Sequence, residues 1–278
     1  NIKDMADEAM AYPLSYGYSH VGRVVRCGIN AGHWKGKLVF SFSPHSSHVV
    51  LDTDGLQVIP DGIDPLDAIF MPSVETAVSI VHDANVRVGE RVAVFGQGLI
   101  GLLVTKLLHL TLSSGLEECG KFGTITTFDT LQNRLAISSM MGSADALLPI
   151  AATSMDPFDV CIEVSGNPRA LQAALDTSAS GGRVVIASWY GNTDVKLRLG
   201  IDFHRSHKRI ETSQVSKIPA SLTALWSKER RFSLTWELLR KIKPSRLITH
   251  MTTLDRAQEA YELLDTGKEL AIAFKYDK

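Results

Sequence analysis

A glycine-rich turn near the middle of the chain constrains the fold most. The segment 90–101 reads ERVAVFGQGLIG, in which a short apolar run precedes three glycines. These glycines, Gly96, Gly98 and Gly101, have the spacing G-x-G-x-x-G, and the apolar stretch 99–112 follows them. A strand, a glycine turn and a helix in this order are typical of a dinucleotide-binding unit. In such a unit the turn and the helix N-terminus bring backbone N–H groups to a pyrophosphate.

The same pattern predicts an acidic residue at the end of the next strand, where a carboxylate binds the adenosine ribose hydroxyls. Asp129 follows the strand-like segment 124–128, and the polar stretch 113–123 before it indicates an inserted loop. A carboxylate there would repel a 2′-phosphate, so we predict NAD as the cofactor rather than NADP. The alternative is a solvated acid that only ends a strand.

Composition and charge exclude several classes of partner. The 278 residues are 45% hydrophobic and 21% charged, as in ordinary globular proteins. A net charge of −1 gives no reason to expect a nucleic acid or an anionic membrane surface as partner. No apolar run reaches the roughly 20 residues of a membrane-spanning helix. No leader segment is visible, and the cysteines, Cys27, Cys119 and Cys161, lie far apart. We therefore expect a reducing compartment, either the cytoplasm or an organelle interior.

The order of predicted elements indicates an α/β protein. Short strand-like segments parted by Gly, Pro and Ser make the N-terminal part a small β-rich unit. They lie at 22–26, 37–42, 48–52 and 56–60. Six further strand-like segments alternate with helical ones, which predicts a doubly wound parallel sheet. They lie at 92–95, 124–128, 144–148, 158–164, 181–188 and 208–215.

The C-terminal part differs from the sheet that precedes it. Two basic helices are predicted at 221–231 and 234–243, then a strand at 246–251, an amphipathic helix at 254–264 and a strand at 270–276. We place the domain boundaries so that 1–75 and 215–278 flank a dinucleotide-binding domain at 76–214.

Ligands of a doubly wound sheet bind beyond the carboxyl ends of its strands. Segments that follow such strands are 96–101, Asp129, 165–166 and 188–190, and we predict that they surround one crevice. The predicted cofactor-binding residues are Gly96, Gln97, Gly98, Leu99, Ile100, Gly101, Asp129, Ser165, Gly166 and Ser188. Arg134 could lie near the adenine or on a helix surface, and we favour the surface.

Several segments resemble the medium-chain dehydrogenase/reductase superfamily, which includes zinc alcohol dehydrogenases, polyol and threonine dehydrogenases and quinone reductases. They are GYSHVGRVV (17–25), VRVGERVAVFGQGLIGLL (86–103), EVSGNPRALQAALDTSASGGRVVIAS (163–188), LITH (247–250) and LDRAQEAYELLDTGK (254–268). The resemblance implies a Rossmann dinucleotide-binding domain inserted into a GroES-like catalytic domain. By this resemblance we expect that catalytic domain to be partial here, with two alternatives left open: the chain starts late, or it is a reduced variant. Segments 70–78 and 189–216 resemble the subgroup that contains bacteriochlorophyllide hydroxyethyl dehydrogenase.

The resemblance implies hydride transfer between nicotinamide and an alcohol or carbonyl substrate. It also implies that Ser165 and Gly166 present their backbone to the ribose or nicotinamide side, although residues 165–166 could be a plain helix-entry turn. By analogy we expect a homodimer or a subunit of a larger assembly. The alternative function is a catalytically silent nucleotide sensor or accessory subunit.

This chain departs from the zinc-dependent members at their metal ligands. Where they carry Gly-His-Glu, it has Gly17-Tyr18-Ser19, and the region 36–50 lacks the four cysteines of their structural zinc lobe. Neutral tyrosine is a poor zinc ligand beside imidazole or thiolate, so we predict no metal. The pyrophosphate-binding arginine expected near the last strand also has no counterpart, because no arginine follows Arg256.

Two residues are the candidates for catalysis without zinc. Tyr18 could donate a proton to the substrate or be a packed tyrosine. Glu75 could be an acid or base, if burial raises its pKa, or a residue that starts a helix. His45 and His48 lie on the β-rich unit, where a structural role is the simpler interpretation.

Overall fold

The computed structural model describes residues 15–112 and 122–276. The chain forms two compact units. One, the central unit, is Glu75–Lys228, and the other, the split unit, combines the described residues 15–74 with 229–276. The domain boundaries inferred from the sequence stay predictions.

A six-stranded sheet forms the middle of the central unit, in the order β6-β5-β4-β7-β8-β9. Every neighbouring pair is parallel. The strands are β4 (Val92–Phe95), β5 (Ile125–Phe128), β6 (Asp145–Leu147), β7 (Phe158–Glu163), β8 (Ser178–Ile186) and β9 (Arg209–Thr212). All residues of β4 and β5 are buried, as expected for strands of a parallel sheet covered on both faces. This order confirms the predicted doubly wound sheet.

The helices of the central unit follow its strands, and the first of them spans the apolar stretch 99–112 that the sequence predicted as a helix. Helices α3 (Leu99–Leu112), α4 (Gln132–Met141) and α5 (Pro168–Thr177) follow β4, β5 and β7. Gly142 ends α4 with a φ of 110°, and the Asn167 side chain caps α5 by accepting from the Arg169 N–H. Inside, Phe95 stacks on Phe128 with ring centroids 4.8 Å apart. The predicted inserted loop lies largely outside the described residues.

The split unit joins the N-terminal β-rich segment to the C-terminal segment. Its strands are β1 (His20–Arg23), β2 (Leu38–Ser41) and β3 (Gln57–Val58), which form an antiparallel sheet, and β10 (Ile248–Thr252) and β11 (Ala271–Phe274), which pair in parallel. Its helices are α1 (Pro65–Ala68), α6 (Lys228–Ile242) and α7 (Ala257–Asp265), while α2 (Met71–Ala84) contains the boundary with the central unit. Trp236 of α6 packs its ring edge on Phe40 and donates to the Gln57 amide oxygen at 3.2 Å.

Short 3₁₀ helices occur at Ile29–Trp34, Thr53–Gly55, Pro149–Ser154, Pro244–Leu247 and Leu254–Arg256. In the described residues no helix combines the length and apolarity that crossing a bilayer requires.

Two predicted elements are wrong. Residues 48–52 form no strand, since no described strand pairs with them and Val50 is fully exposed. The segment has a high β-propensity, but it lacks a neighbouring strand to pair with among the described residues. The first basic helix, at 221–231, is also absent over most of its length, because α6 begins only at Lys228. Its place is taken by turns, and Trp226 packs on the His82 ring, with centroids 4.3 Å apart.

Candidate cofactor and active site

Two glycines of the loop after β4 are required by packing. A Cβ added to Gly101 would lie 2.0 Å from the Gly96 carbonyl oxygen, because the first turn of α3 packs directly on the end of the strand. Gly96 has a φ of +103°, and a Cβ there would lie 2.7 Å from the Cα of Ser165. The close approach of loop, helix and β7 therefore excludes any side chain at these two positions.

Gly98 is glycine without such crowding. The only described atom within 4 Å of its added Cβ is Nη1 of Arg134, at 3.7 Å. Gly98, Leu99 and Ile100 are half-buried, so this side of the loop is open. The first turn of a helix leaves N–H groups without intrahelical acceptors. The loop is therefore a cradle with free donors that a Cβ at Gly98 would narrow, which fits a pyrophosphate group.

The Gln97 side chain stabilises the glycine loop through hydrogen bonds. Its side chain is fully buried. It donates to the Gly96 carbonyl oxygen at 2.8 Å and accepts from the Thr105 hydroxyl of α3 at 3.1 Å. Any contact of this residue with a cofactor would therefore come from its backbone.

Asp129, at the end of β5, faces the glycine loop. One carboxylate oxygen accepts from the Gln97 N–H at 2.6 Å, and the other accepts from the Leu131 N–H at 2.9 Å. A carboxylate has about four lone-pair sites, so both oxygens keep the capacity to accept from ribose hydroxyls. Arg134 is half-buried with its guanidinium beside Gly98, so it lies nearer the loop than the favoured surface interpretation supposed.

Sequence reasoning missed Glu163. This residue is the last of β7, so its place in the sheet is similar to that of Asp129, which directly follows β5. Glu163 is fully buried. One carboxylate oxygen accepts from both the N–H and the hydroxyl of Ser165, at 2.7 and 2.6 Å, and the other accepts from the Tyr190 hydroxyl. The signal in the sequence that could have identified Glu163 is an acidic residue at the carboxyl end of a predicted parallel strand.

Ser188 and Tyr190 connect the segment after β8 with the end of β7. The Ser188 hydroxyl accepts from the Gly166 N–H at 2.8 Å and lies 3.4 Å from the Glu163 carbonyl oxygen. Burial, and then the hydrogen bond to Glu163, raise the pKa of Tyr190, which keeps its phenol protonated. The structure thus brings Gly96, Ser165, Gly166 and Ser188 to one edge of the sheet, and their role in cofactor binding stays a prediction.

Tyr18 lines a cavity of about 310 Å³ inside the split unit. Its walls are Tyr16, Gly17, Tyr18, Ser19, His45, Ser73, Ala260, Tyr261, Leu264, Ile272 and Phe274. Partial burial, and then the neighbouring Tyr16, raise the pKa of Tyr18. Burial, and then the charge of His20, lower the pKa of His45, which favours a neutral imidazole. At neutral pH the cavity therefore presents a protonated phenol.

Glu75 is buried within α2, and its role as an acid or base stays a prediction. Among the described residues no group of three or more His, Cys, Asp and Glu side chains could hold a metal ion. Beside Tyr18, the Ser19 hydroxyl donates to the Ile69 carbonyl oxygen, and Nε2 of His20 lies 3.0 Å from the Ser46 carbonyl oxygen. The described part of the chain offers no donor set that fits zinc.

Known proteins resemble the chain over nearly its whole length. No protein-family model matches it. It is 28% identical over 268 residues to D-guloside 3-dehydrogenase of Escherichia coli K12, a match that covers 91% of this chain and 74% of the relative. The sheet order and glycine loop described above fall within the aligned length. These similarities support the medium-chain dehydrogenase/reductase superfamily.

Solved structures share the fold of this chain. A putative zinc-binding dehydrogenase from Clostridium scindens superposes with a TM-score of 0.76 at 20% identity, covering 96% of this chain and 81% of the other. A short chain alcohol dehydrogenase from Escherichia coli CFT073, complexed with NADH, gives a TM-score of 0.75 at 15% identity, covering 95% and 85%. The named relatives support an alcohol dehydrogenase-like oxidoreductase, and its narrower subgroup stays a prediction.

Proposed function

We propose that this dehydrogenase binds NAD(H) in the loop after β4 and transfers a hydride between nicotinamide and an alcohol or carbonyl carbon, without a catalytic zinc. One observation carries the cofactor assignment: the open side of Gly98 lies in the same loop that Asp129 faces. The bound dinucleotide supplies the hydride chemistry, and the chain orients it and supplies a proton.

Each part of the site has a separate task in this proposal. Backbone N–H groups at Gly98, Leu99 and Ile100 would bind the pyrophosphate, with Arg134 adding positive charge beside them. Asp129 would accept hydrogen bonds from the adenosine ribose. Gly101 allows the helix to pack close enough to present those groups.

Cofactor preference gives the direct test. We expect NADH to bind the wild-type protein at least tenfold more tightly than NADPH, because Asp129 would repel a 2′-phosphate. Replacing Asp129 by asparagine removes the charge. It should therefore weaken NADH binding and bring the dissociation constants for NADH and NADPH to within about threefold of each other. Fluorescence energy transfer from tryptophan to bound NADH measures both constants.

Asp145→Asn is the matched control, since it removes an exposed carboxylate from the opposite end of neighbouring β6 and should change neither constant. Failure of the wild-type protein to bind NADH up to millimolar concentration would contradict the proposal. Equal binding of NADH and NADPH would contradict only the NAD preference.

Tyr18 is the proposed proton donor. Without a metal to polarise the substrate, a general acid must neutralise the developing alkoxide. We expect Tyr18→Phe to lower kcat for carbonyl reduction by about 10²-fold or more, with the dissociation constant for NADH unchanged. Steady-state kinetics with a carbonyl panel, together with the NADH titration, separate the two effects.

Tyr16→Phe is the control, because Tyr16 lines the same cavity and carries no proposed chemistry. Full activity of Tyr18→Phe would show that Tyr18 is only a packed side chain. NADH binding without turnover of any alcohol or carbonyl by the wild-type protein would favour the catalytically silent sensor instead.

The substrate is proposed to be a small hydroxylated alcohol or its ketone. One relative is named D-guloside 3-dehydrogenase. The split-unit cavity offers hydroxyl groups from tyrosines and serines together with aromatic rings. A homodimer formed through β9, the edge strand of the central sheet, is the proposed assembly.

A further inference from the structure

Glu163 carries a buried charge that no described cation neutralises. All three of its hydrogen-bond donors are uncharged groups of Ser165 and Tyr190. No Lys, Arg or His of the described residues forms an ion pair with it. Each of these contacts donates a hydrogen bond to a carboxylate oxygen of Glu163.

The charge lies in the half of the sheet opposite Asp129. A doubly wound sheet binds one mononucleotide over each half, and the halves meet where the strand order reverses. Here that point lies between β4 and β7, so Asp129 belongs to the adenosine half and Glu163 to the other half. Ser165, held by Glu163, packs against Gly96 of the loop. Glu163 is thus in the half of the site assigned to nicotinamide.

The two redox states of the cofactor respond differently to a fixed negative charge. Oxidised nicotinamide carries one positive charge on its ring, whereas reduced nicotinamide is neutral. A carboxylate that is buried, and therefore weakly screened, attracts the oxidised ring and leaves the reduced ring almost unaffected.

We propose that Glu163 is a specificity-determining residue that favours the oxidised over the reduced dinucleotide, and that the Ser165 and Tyr190 donors hold its carboxylate in place for this role. The inference rests on the proposed binding of NAD(H) to the central unit. It assigns Glu163 no proton transfer. Its consequence is that NAD⁺ competes more effectively than NADH for the site.

The test is the ratio of the dissociation constants for NADH and NAD⁺, measured by calorimetry at pH 8 and constant ionic strength. Glu163→Gln keeps the shape of the side chain and removes its charge. We expect NAD⁺ to bind about tenfold more weakly and NADH to change less than twofold, so the ratio falls about tenfold. Glu211→Gln, on β9 of the same sheet and partly exposed, is the control and should leave the ratio unchanged.

If NADH and NAD⁺ both bind more weakly by the same factor, Glu163 only supports the loop. If neither dissociation constant changes, the cofactor does not respond to the charge of Glu163. Both results would overturn the inference. If Glu163→Gln fails to fold, Tyr190→Phe provides the test. It removes one of the donors that hold the carboxylate in place, so the ratio should fall about threefold, and an unchanged or higher ratio would overturn the inference. A wild-type protein that binds neither dinucleotide would instead contradict the proposed function.

Discussion

Replacing Gly101 by alanine is expected to destabilise the protein severely, whereas replacing Gly98 by alanine is expected to leave stability unchanged and weaken cofactor binding. At Gly101 the new methyl group would lie 2.0 Å from a backbone carbonyl oxygen. Neither the strand nor the helix can yield without losing packing, so we expect a cost of about 3 kcal/mol or more. At Gly98 the new methyl group would lie 3.7 Å from Nη1 of Arg134, which is at the end of a flexible side chain.

Thermal unfolding and NADH titration of the two variants separate these effects. For Gly98→Ala we expect a melting temperature within about 2 °C of wild type and a dissociation constant raised at least tenfold, because the methyl group occupies the pyrophosphate cradle. Unchanged NADH binding by Gly98→Ala would place the dinucleotide elsewhere. A stable Gly101→Ala would show that the helix can move away from the strand.

Removing Arg183 is the second change with a large expected effect. This β8 residue donates to both carboxylate oxygens of Glu90, at 2.8 and 2.6 Å, and to the carbonyl oxygens of Ala84 and Asn85 at the end of α2, both at 2.7 Å. The Arg183 and Glu90 side chains are only 6% and 16% exposed. Arg183→Met leaves a buried carboxylate unpaired, so we expect a loss of about 3–5 kcal/mol in the free energy of unfolding, measured with urea.

Arg198→Met is the control for this prediction. Arg198 pairs with Asp176, but these side chains are 73% and 42% exposed, so the expected loss is at most about 1 kcal/mol. If both variants lose the same amount, burial of the Arg183 pair does not matter. The double variant Glu90→Leu/Arg183→Met should recover part of the loss, because no buried charge remains unpaired.

The same ion pair makes stability depend on pH. Burial alone would raise the pKa of Glu90, but hydrogen bonds from Arg183 and the Arg87 N–H, together with the positive charges, lower it below its usual value. A carboxyl group with a lower pKa in the folded state stabilises the protein above its unfolded pKa of about 4.3. That contribution is lost as the pH falls through the folded pKa, so Arg183→Met should flatten the acid limb of the stability curve.

Sequence patterns predicted the central unit more accurately than the split unit. Strands of a parallel sheet are apolar on both faces and alternate with helices, so each leaves a clear local signal. The segment 48–52 has the residues of a strand, but strand formation depends on a neighbour that composition does not reveal. The helix expected from residue 221 failed because the Trp226 ring packs on His82, more than a hundred residues away in the chain.

The candidate site was predictable where spacing alone encodes it. The glycines and Asp129 follow from a turn that needs small residues and from a strand end that needs an acid. Arg134 and Glu163 carry no motif. Their importance depends on which atoms the fold places beside Gly98 and Ser165, and contacts of that kind join residues from different strands and helices.

By itself the sequence determined the doubly wound sheet, the position of the glycine loop and the departure from the zinc-ligand pattern, because each depends on residue type at short spacing. Only the tertiary structure showed that the two glycines differ in their surroundings. Gly101 has no room for a side chain because the Gly96 carbonyl oxygen lies against it, whereas Gly98 faces open space. It also showed that Glu163 is a buried acid held by neutral donors. The physical reason is that burial and close approach are properties of pairs of segments, which a linear pattern does not specify.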